Sequence, residues 1–255
     1  MDFPITRKVI AMLPGWVDEL ADVLPPPVKK PAQPRGFHWR YPVETAEIVQ
    51  VCKAVRMASG IAAALHLADL GFTVECGTLL RTVSDFASEI VFLGEGLLAS
   101  RMTKEQSKFT KDYFKELPTS PDELARRERE YYVGRKDVHK AHRRLVEKAG
   151  VSGEYFLKVL ALLNKGYDSY VHGAYISAME LFSGRTGRFM MTGQESQRHR
   201  CMIKVGVAGK LQEVVGALEM MALTRRLIPL TTTIRGARRE LEASGEDSGK
   251  DCPDQ

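Results

Sequence analysis

The chain has 255 residues, 44% of them hydrophobic and 27% charged, with a formal net charge of +5 and a pI near 9.0. That length can bury a substantial core in one large domain or two small ones. No uninterrupted apolar stretch approaches the roughly 20 residues of a membrane span, and charge this mild permits nucleic acid without demanding it, so the expected setting is cytoplasmic with no membrane partner.

The start, "MDFPITRKVIAMLPGWVDEL", is broken by Pro4, Pro14, Asp18 and Glu19 before a signal-peptide core develops. Residues 6–23 instead carry Val9, Ile10, Leu13, Val17, Leu20 and Ala21 at three- and four-residue steps, which predicts an amphipathic helix. Five prolines between Pro25 and Pro34 then forbid helix and predict an extended, polyproline-like arm. It ends in Phe37, His38, Trp39, Arg40 and Tyr41, a cluster able either to stack bases or to pin the arm onto its own domain.

From residue 44 to 70 the pattern is helical, with Ile48, Val49, Cys52, Val55, Ala62 and Leu65 on the core side. "GFT" breaks it, and a second helix runs from about Val74 to Leu93, closed by Gly94 and Gly96. Thr103 is placed to cap the next helix, which stops before Pro118, and "TSPDEL" caps another from Pro121. Residues 121–148 hold nine basic and six acidic side chains and read as a solvated, ion-paired segment interrupted at Gly134 and closed at Gly150. Ser152 begins a helix with Phe156, Val159, Leu160 and Leu163, leading into "GYDSYVHGAYISAMELFSG", where Gly173, Ala174, Ser177 and Ala178 allow close helix approach. "SGRTGRFMMTG" reads as a loop. A last long helix from about Glu195 to Leu227 steps through Val207, Leu211, Val214, Leu218 and Met221. Beyond it, five arginines between Thr224 and Arg239 precede an acidic end without aromatics, which predicts a disordered tail.

No segment alternates as paired strands do. The fold class is therefore all-α: a bundle of about six to eight helices over residues 43–228, with an N-terminal helix (1–24), a proline-rich arm (25–42) and a tail (229–255) outside it. Cys52, Cys76, Cys201 and Cys252 form no C-x-x-C pair and are expected to be reduced, packed thiols.

Two places carry candidate chemistry. In "LLRTVSDFASEIVFL", Arg81, Asp85 and Glu89 fall on one helical stripe about 12 Å long, flanked by Leu80, Val83, Phe86 and Ile90. Arg81 and Asp85 can satisfy each other, which leaves Glu89 to face water, a basic side chain or a ligand. In the later helix His172 has Asp168 and Ser169 one turn before it, Tyr167 close by and Tyr175 one turn after. An imidazole beside a carboxylate can serve as general acid or base, or simply be a hydrogen-bonded core residue.

The combination of "LLRTVSDFASE" with "YDSYVHGAY" about ninety residues later resembles a family of uncharacterised bacterial helical proteins, a domain of unknown function allied to the HEPN superfamily. The matching positions are Arg81 with Asp85 or Glu89, and Ser169 with His172. The resemblance implies a cytoplasmic protein acting on or binding RNA or a nucleotide without cofactor or metal, in defence against phage or mobile elements, often as a homodimer. Arg81, Glu89 and His172 would then be catalytic, with Asp85, Asp168, Ser169 and Tyr167 supporting them. Active HEPN proteins place Arg and His on one helix with four to six residues between them. Here that spacing is met by Arg135 and His142, in the charged segment. The rival reading is a non-catalytic helical binding or scaffold protein in which the same charges form a structural polar network.

Among other motifs, His139 and His142 lie among lysines and arginines that repel a cation, and "SGRTGR" lacks the Walker spacing, so neither predicts a metal or nucleotide loop.

Overall fold

A computed structural model describes residues 2–31, 36–115, 120–131, 133–148, 150–193, 196–250 and 252. Residues 32–35 of the proline-rich arm, and 251 and 253–255 of the tail, lie outside them. The described chain is an all-α bundle of ten helices with two short hairpins. These are α1 (Pro4–Asp22), β1 (Val28–Pro31), β2 (Phe37–Arg40), α2 (Ala46–Leu70), α3 (Thr73–Leu98), α4 (Lys104–Tyr113), α5 (Pro121–Tyr131) and α6 (Arg135–Lys148). There follow α7 (Gly153–Val171), α8 (Tyr175–Met179), β3 (Phe182–Ser183), β4 (Arg188–Phe189), α9 (Gln197–Thr224) and α10 (Ile228–Ser244).

Local chemistry sets many of the boundaries. Gly71, at φ +82°, takes the left-handed position that ends α2, and its N–H is bonded to Ala68 O and Leu67 O. Thr103 and Gln106 form a reciprocal capping box at α4, and the Ser152 side chain accepts from Tyr155 N at α7.

The core is built by α1, α2, α3, α9 and α10. Val9, Leu13, Met57, Ile61, Ile90, Leu211, Leu218 and Ile234 meet there, each with no exposed surface. By length and composition α2 is apolar enough to cross a membrane, with mean hydropathy 1.4 over 18 residues, but 56% of that window is buried within the bundle. The stripe expected on α2 is partly corrected. Ile48, Val49 and Leu65 are buried, whereas Val55 is 51% exposed.

Both ends of the chain, which the periodicity alone leaves outside the bundle, belong to it. The arginine-rich stretch expected to open a tail is α10, whose Leu230, Ile234, Ala237 and Leu241 turn inward at helical spacing while Arg235 and Arg238 pair outward with Glu219. After α10 the acidic segment is held in place. Glu246 accepts from Ile5 N at 3.0 Å, Thr6 N at 2.9 Å and Thr6 Oγ1 at 2.6 Å, supplying the negative charge that the first turn of α1 lacks. Cys252 is disulfide-bonded to Cys201. The expectation of four reduced thiols is thereby corrected for this pair; such bonds persist in oxidising surroundings and are rare in the cytosol.

Part of the arm is also strand rather than polyproline helix. β1 and β2 pair antiparallel, with Lys29 opposite Trp39. The aromatic cluster is not pinned down: Phe37 and Trp39 remain 54% and 59% exposed, with Lys29 Nζ 4.6 Å and 5.5 Å from their ring centroids.

Candidate functional site

The stripe of α3 is a polar seam shared by four helices. Arg81 is 3% exposed, yet its guanidinium is reached from two sides. Its Nε donates to Asp168 Oδ1 of α7 at 2.6 Å, and Nη1 lies 2.5 Å from Asp85 Oδ1 one turn along α3, in a charge contact without hydrogen-bond alignment. Nη2 is buried without a hydrogen-bond partner. Arg135 of α6 closes the cluster from outside, donating to Asp85 at 3.2 Å and approaching Asp168 Oδ2 at 3.9 Å. Two guanidinium and two carboxylate groups therefore alternate across α3, α6 and α7. Burying an arginine is tolerable in such company.

Glu89 faces the basic side chain of another helix: Lys53 Nζ of α2 lies 2.5 Å from its Oε2. Burial, the dominant influence, raises the Glu89 pKa, and the Lys53 charge opposes it. Lys53 in turn sits 5.1–5.3 Å from the ring centroids of Phe86, Phe109 and Tyr113, so the ammonium is held by one carboxylate and three aromatic rings.

A third polar group lies between α3 and α9. Lys210, 3% exposed, pairs with Glu213 at 2.5 Å and donates to Ser84 Oγ at 3.2 Å, while Ser84 donates to Glu213 at 2.7 Å. Tyr167 stacks its ring under that ammonium, 4.8 Å from centroid to Nζ, and burial raises its phenol pKa to about 12.

The structure thus brings Arg81, Asp85 and Asp168 together and sets Tyr167 beside the neighbouring lysine. Ser169 and His172 stand apart from them. Ser169 donates back to Gly166 O of its own helix at 2.6 Å. His172 is exposed and ends α7 as its C-cap; Gly173, at φ +59°, turns the chain out, so Tyr175 belongs to α8 rather than to the same helical surface. Among the described residues the His172 imidazole makes no hydrogen bond, ion pair or ring contact, and neither of the two cavities flanking α7 is lined by Arg81, Glu89 or His172.

The spacing match in α6 also divides. Arg135 belongs to the seam, whereas His142 is turned inward, its ring stacked on Phe156 at 6.1 Å and its Nε2 3.1 Å from Ser88 O. Since a carbonyl only accepts, Nε2 carries the proton of a neutral ring. The segment expected to be wholly solvated therefore has an inner face, with Val138 and Ala141 buried against α3. His139, half-buried and one turn beyond Arg135, has its pKa lowered by burial first and then by its electrostatic interactions with His142 and Arg135.

Lys53, Lys210 and Glu213 were legible only as isolated charges inside apolar runs, the same signal that marked Arg81. No family model matches the chain, and no curated protein or solved structure does so either.

Proposed function

We propose that the chain is a non-catalytic helical binding or scaffold protein in which the Arg81–Asp85–Asp168–Arg135 seam fixes how α6 and α7 dock on α3. One observation carries this reading: Arg81 is 3% exposed and engaged by two carboxylates, so its guanidinium offers a ligand almost no surface unless that pairing is dismantled. A transition state stabilised by a guanidinium needs direct access to it. The test is a pair of variants followed by melting and by RNA cleavage without added metal. Arg81→Ala should melt below the parent, while His172→Ala should melt like it, with no RNA cleavage in any of the three. Cleavage by the parent that disappears in a fully folded His172→Ala protein would overturn the reading.

A second reading, HEPN-like action on RNA or a nucleotide, is favoured by a different feature. Arg135, with a side chain 48% exposed, and half-buried His139 stand one turn apart at the open end of the seam, and His139 is within electrostatic reach of Asp85. A neutral imidazole there can take a proton from a 2′-hydroxyl while Arg135 faces the phosphate. The exposed Phe37 and Trp39, with Lys29 and Lys30 on the paired strand, add a surface on which bases could stack. On this reading Arg135→Ala and His139→Ala each lose metal-independent RNA cleavage or nucleotide binding, and a parent protein that neither cleaves RNA nor binds RNA or a nucleotide eliminates it.

A further inference from the structure

A cavity of about 500 Å³ lies between α3, α7 and α9, within the range that holds a small molecule. Glycines make its room. At Gly166 an added methyl group would meet no atom within 4 Å, so α7 contributes bare backbone there, whereas at Gly77 the Tyr170 ring lies 2.5 Å from where a β-carbon would stand. Gly77 is what lets Tyr170 pack this close to α3. The wall is otherwise apolar, with Leu80 and Ile203 lining it and Leu162 and Met202, 72% and 50% exposed, opening it to solvent.

Among the described lining residues Glu180 is the one Asp, Glu, Lys or Arg, and His199 acts on it electrostatically. Glu180 contributes a carboxylate, to whose oxygens the Tyr170 hydroxyl lies at 3.1 and 3.2 Å, and Tyr167 adds a second phenol. His199 is at the exposed edge, and no lysine or arginine is among the described lining residues. Lys210, on the Tyr167 ring, is already neutralised by Glu213 at 2.5 Å. The Thr73 hydroxyl, on a lining residue 5% exposed, is buried without a hydrogen-bond partner. An anion entering here would shed its water to face a carboxylate and electron-rich rings. A cation would find a counter-ion and two aromatic faces.

We propose that this cavity binds a small organic cation, an amine or quaternary ammonium on an apolar body, with Glu180 as counter-ion and Tyr167 and Tyr170 against the charged group. The site goes beyond the seam and uses none of its four charged residues.

The test is calorimetric titration of the full chain with three compounds of similar size, phenethylamine, phenethyl alcohol and hydrocinnamate. The amine should bind, with the carboxylate weaker by about tenfold or more, and Glu180→Gln, which keeps an acceptor for Tyr170, should weaken the amine by a similar factor. Gly166→Leu starts from a β-carbon that meets nothing within 4 Å, so the helix can carry a side chain there without strain at its root; it should abolish binding while the melting temperature holds or rises. Absence of amine binding, equal binding of the carboxylate, or amine binding indifferent to both substitutions would each overturn the proposal.

Discussion

Arg81 and Asp168, 87 residues apart in sequence, meet through a 2.6 Å hydrogen bond that ties the centre of the bundle to α7. Arg81 is buried, whereas its partners Asp168 and Asp85 are 38% and 39% exposed, so its removal forfeits packing and a partly screened charge pair rather than stranding a buried charge. Arg81→Ala should therefore cost about 2 kcal/mol in urea unfolding, most of it lost packing. Arg143→Ala, whose pair with Glu147 is exposed on both sides, should leave the urea midpoint close to that of the parent. Equal costs for the two would mean that the seam is no more than a surface ion pair.

Lys53 and Glu89 give a second test, with a sign that depends on pH. Burial already raises the Glu89 pKa above 4.5, so the fold favours its protonated form. Without Lys53 that preference strengthens. Lys53→Met should lose about 3 kcal/mol at neutral pH and regain stability as pH falls through the raised folded pKa and below 4.5, where the carboxyl becomes neutral in both states. The double variant Lys53→Met/Glu89→Gln should lose most of that pH dependence, which urea midpoints across the range will read.

His142 works in the opposite direction. Burial, only partly offset by the bond to Ser88 O, lowers its pKa below 6.5. As pH falls through 6.5 the unfolded chain therefore takes up this proton before the folded one, and stability declines until the folded pKa is passed. The urea midpoint should drop between about pH 7.5 and 5.5, and His142→Phe, which preserves the stack on Phe156, should flatten that slope. An unchanged slope would place the ring in solvent.

Shortening the chain at Leu227 tests whether α10 is part of the core. Three large side chains, Leu230, Ile234 and Leu241, are at most 3% exposed. At about 2 kcal/mol each their loss approaches the whole stability of an ordinary domain. The shortened protein should show no cooperative melting; a sharp transition near that of the parent would make α10 an appendage after all.

What the sequence disclosed was the chemistry settled within a few residues. Thr103 caps α4, Ser152 caps α7, and Val207 through Met221 form the inward stripe of α9, each where its neighbours demand it. Partner choice is different. Whether Glu89 meets Lys53, or Arg81 meets Asp168, depends on helix docking between positions 36 and 87 residues apart, and no local pattern encodes that. The arginines of α10 concealed its apolar stripe because charge dominates a composition count while spacing decides burial. His172 misled for the converse reason: its neighbours suggested a continuous helix, and Gly173 ended that helix one residue later.

The bond from Glu246 to the first turn of α1 brings together residues 240 and 241 positions apart. Bringing such remote positions together costs chain entropy that other native contacts must first offset, which places this closure late in folding. A circular permutant that joins the two segments through a short flexible linker would turn this very long loop into a short one, and it should reach the native state faster than the linear chain.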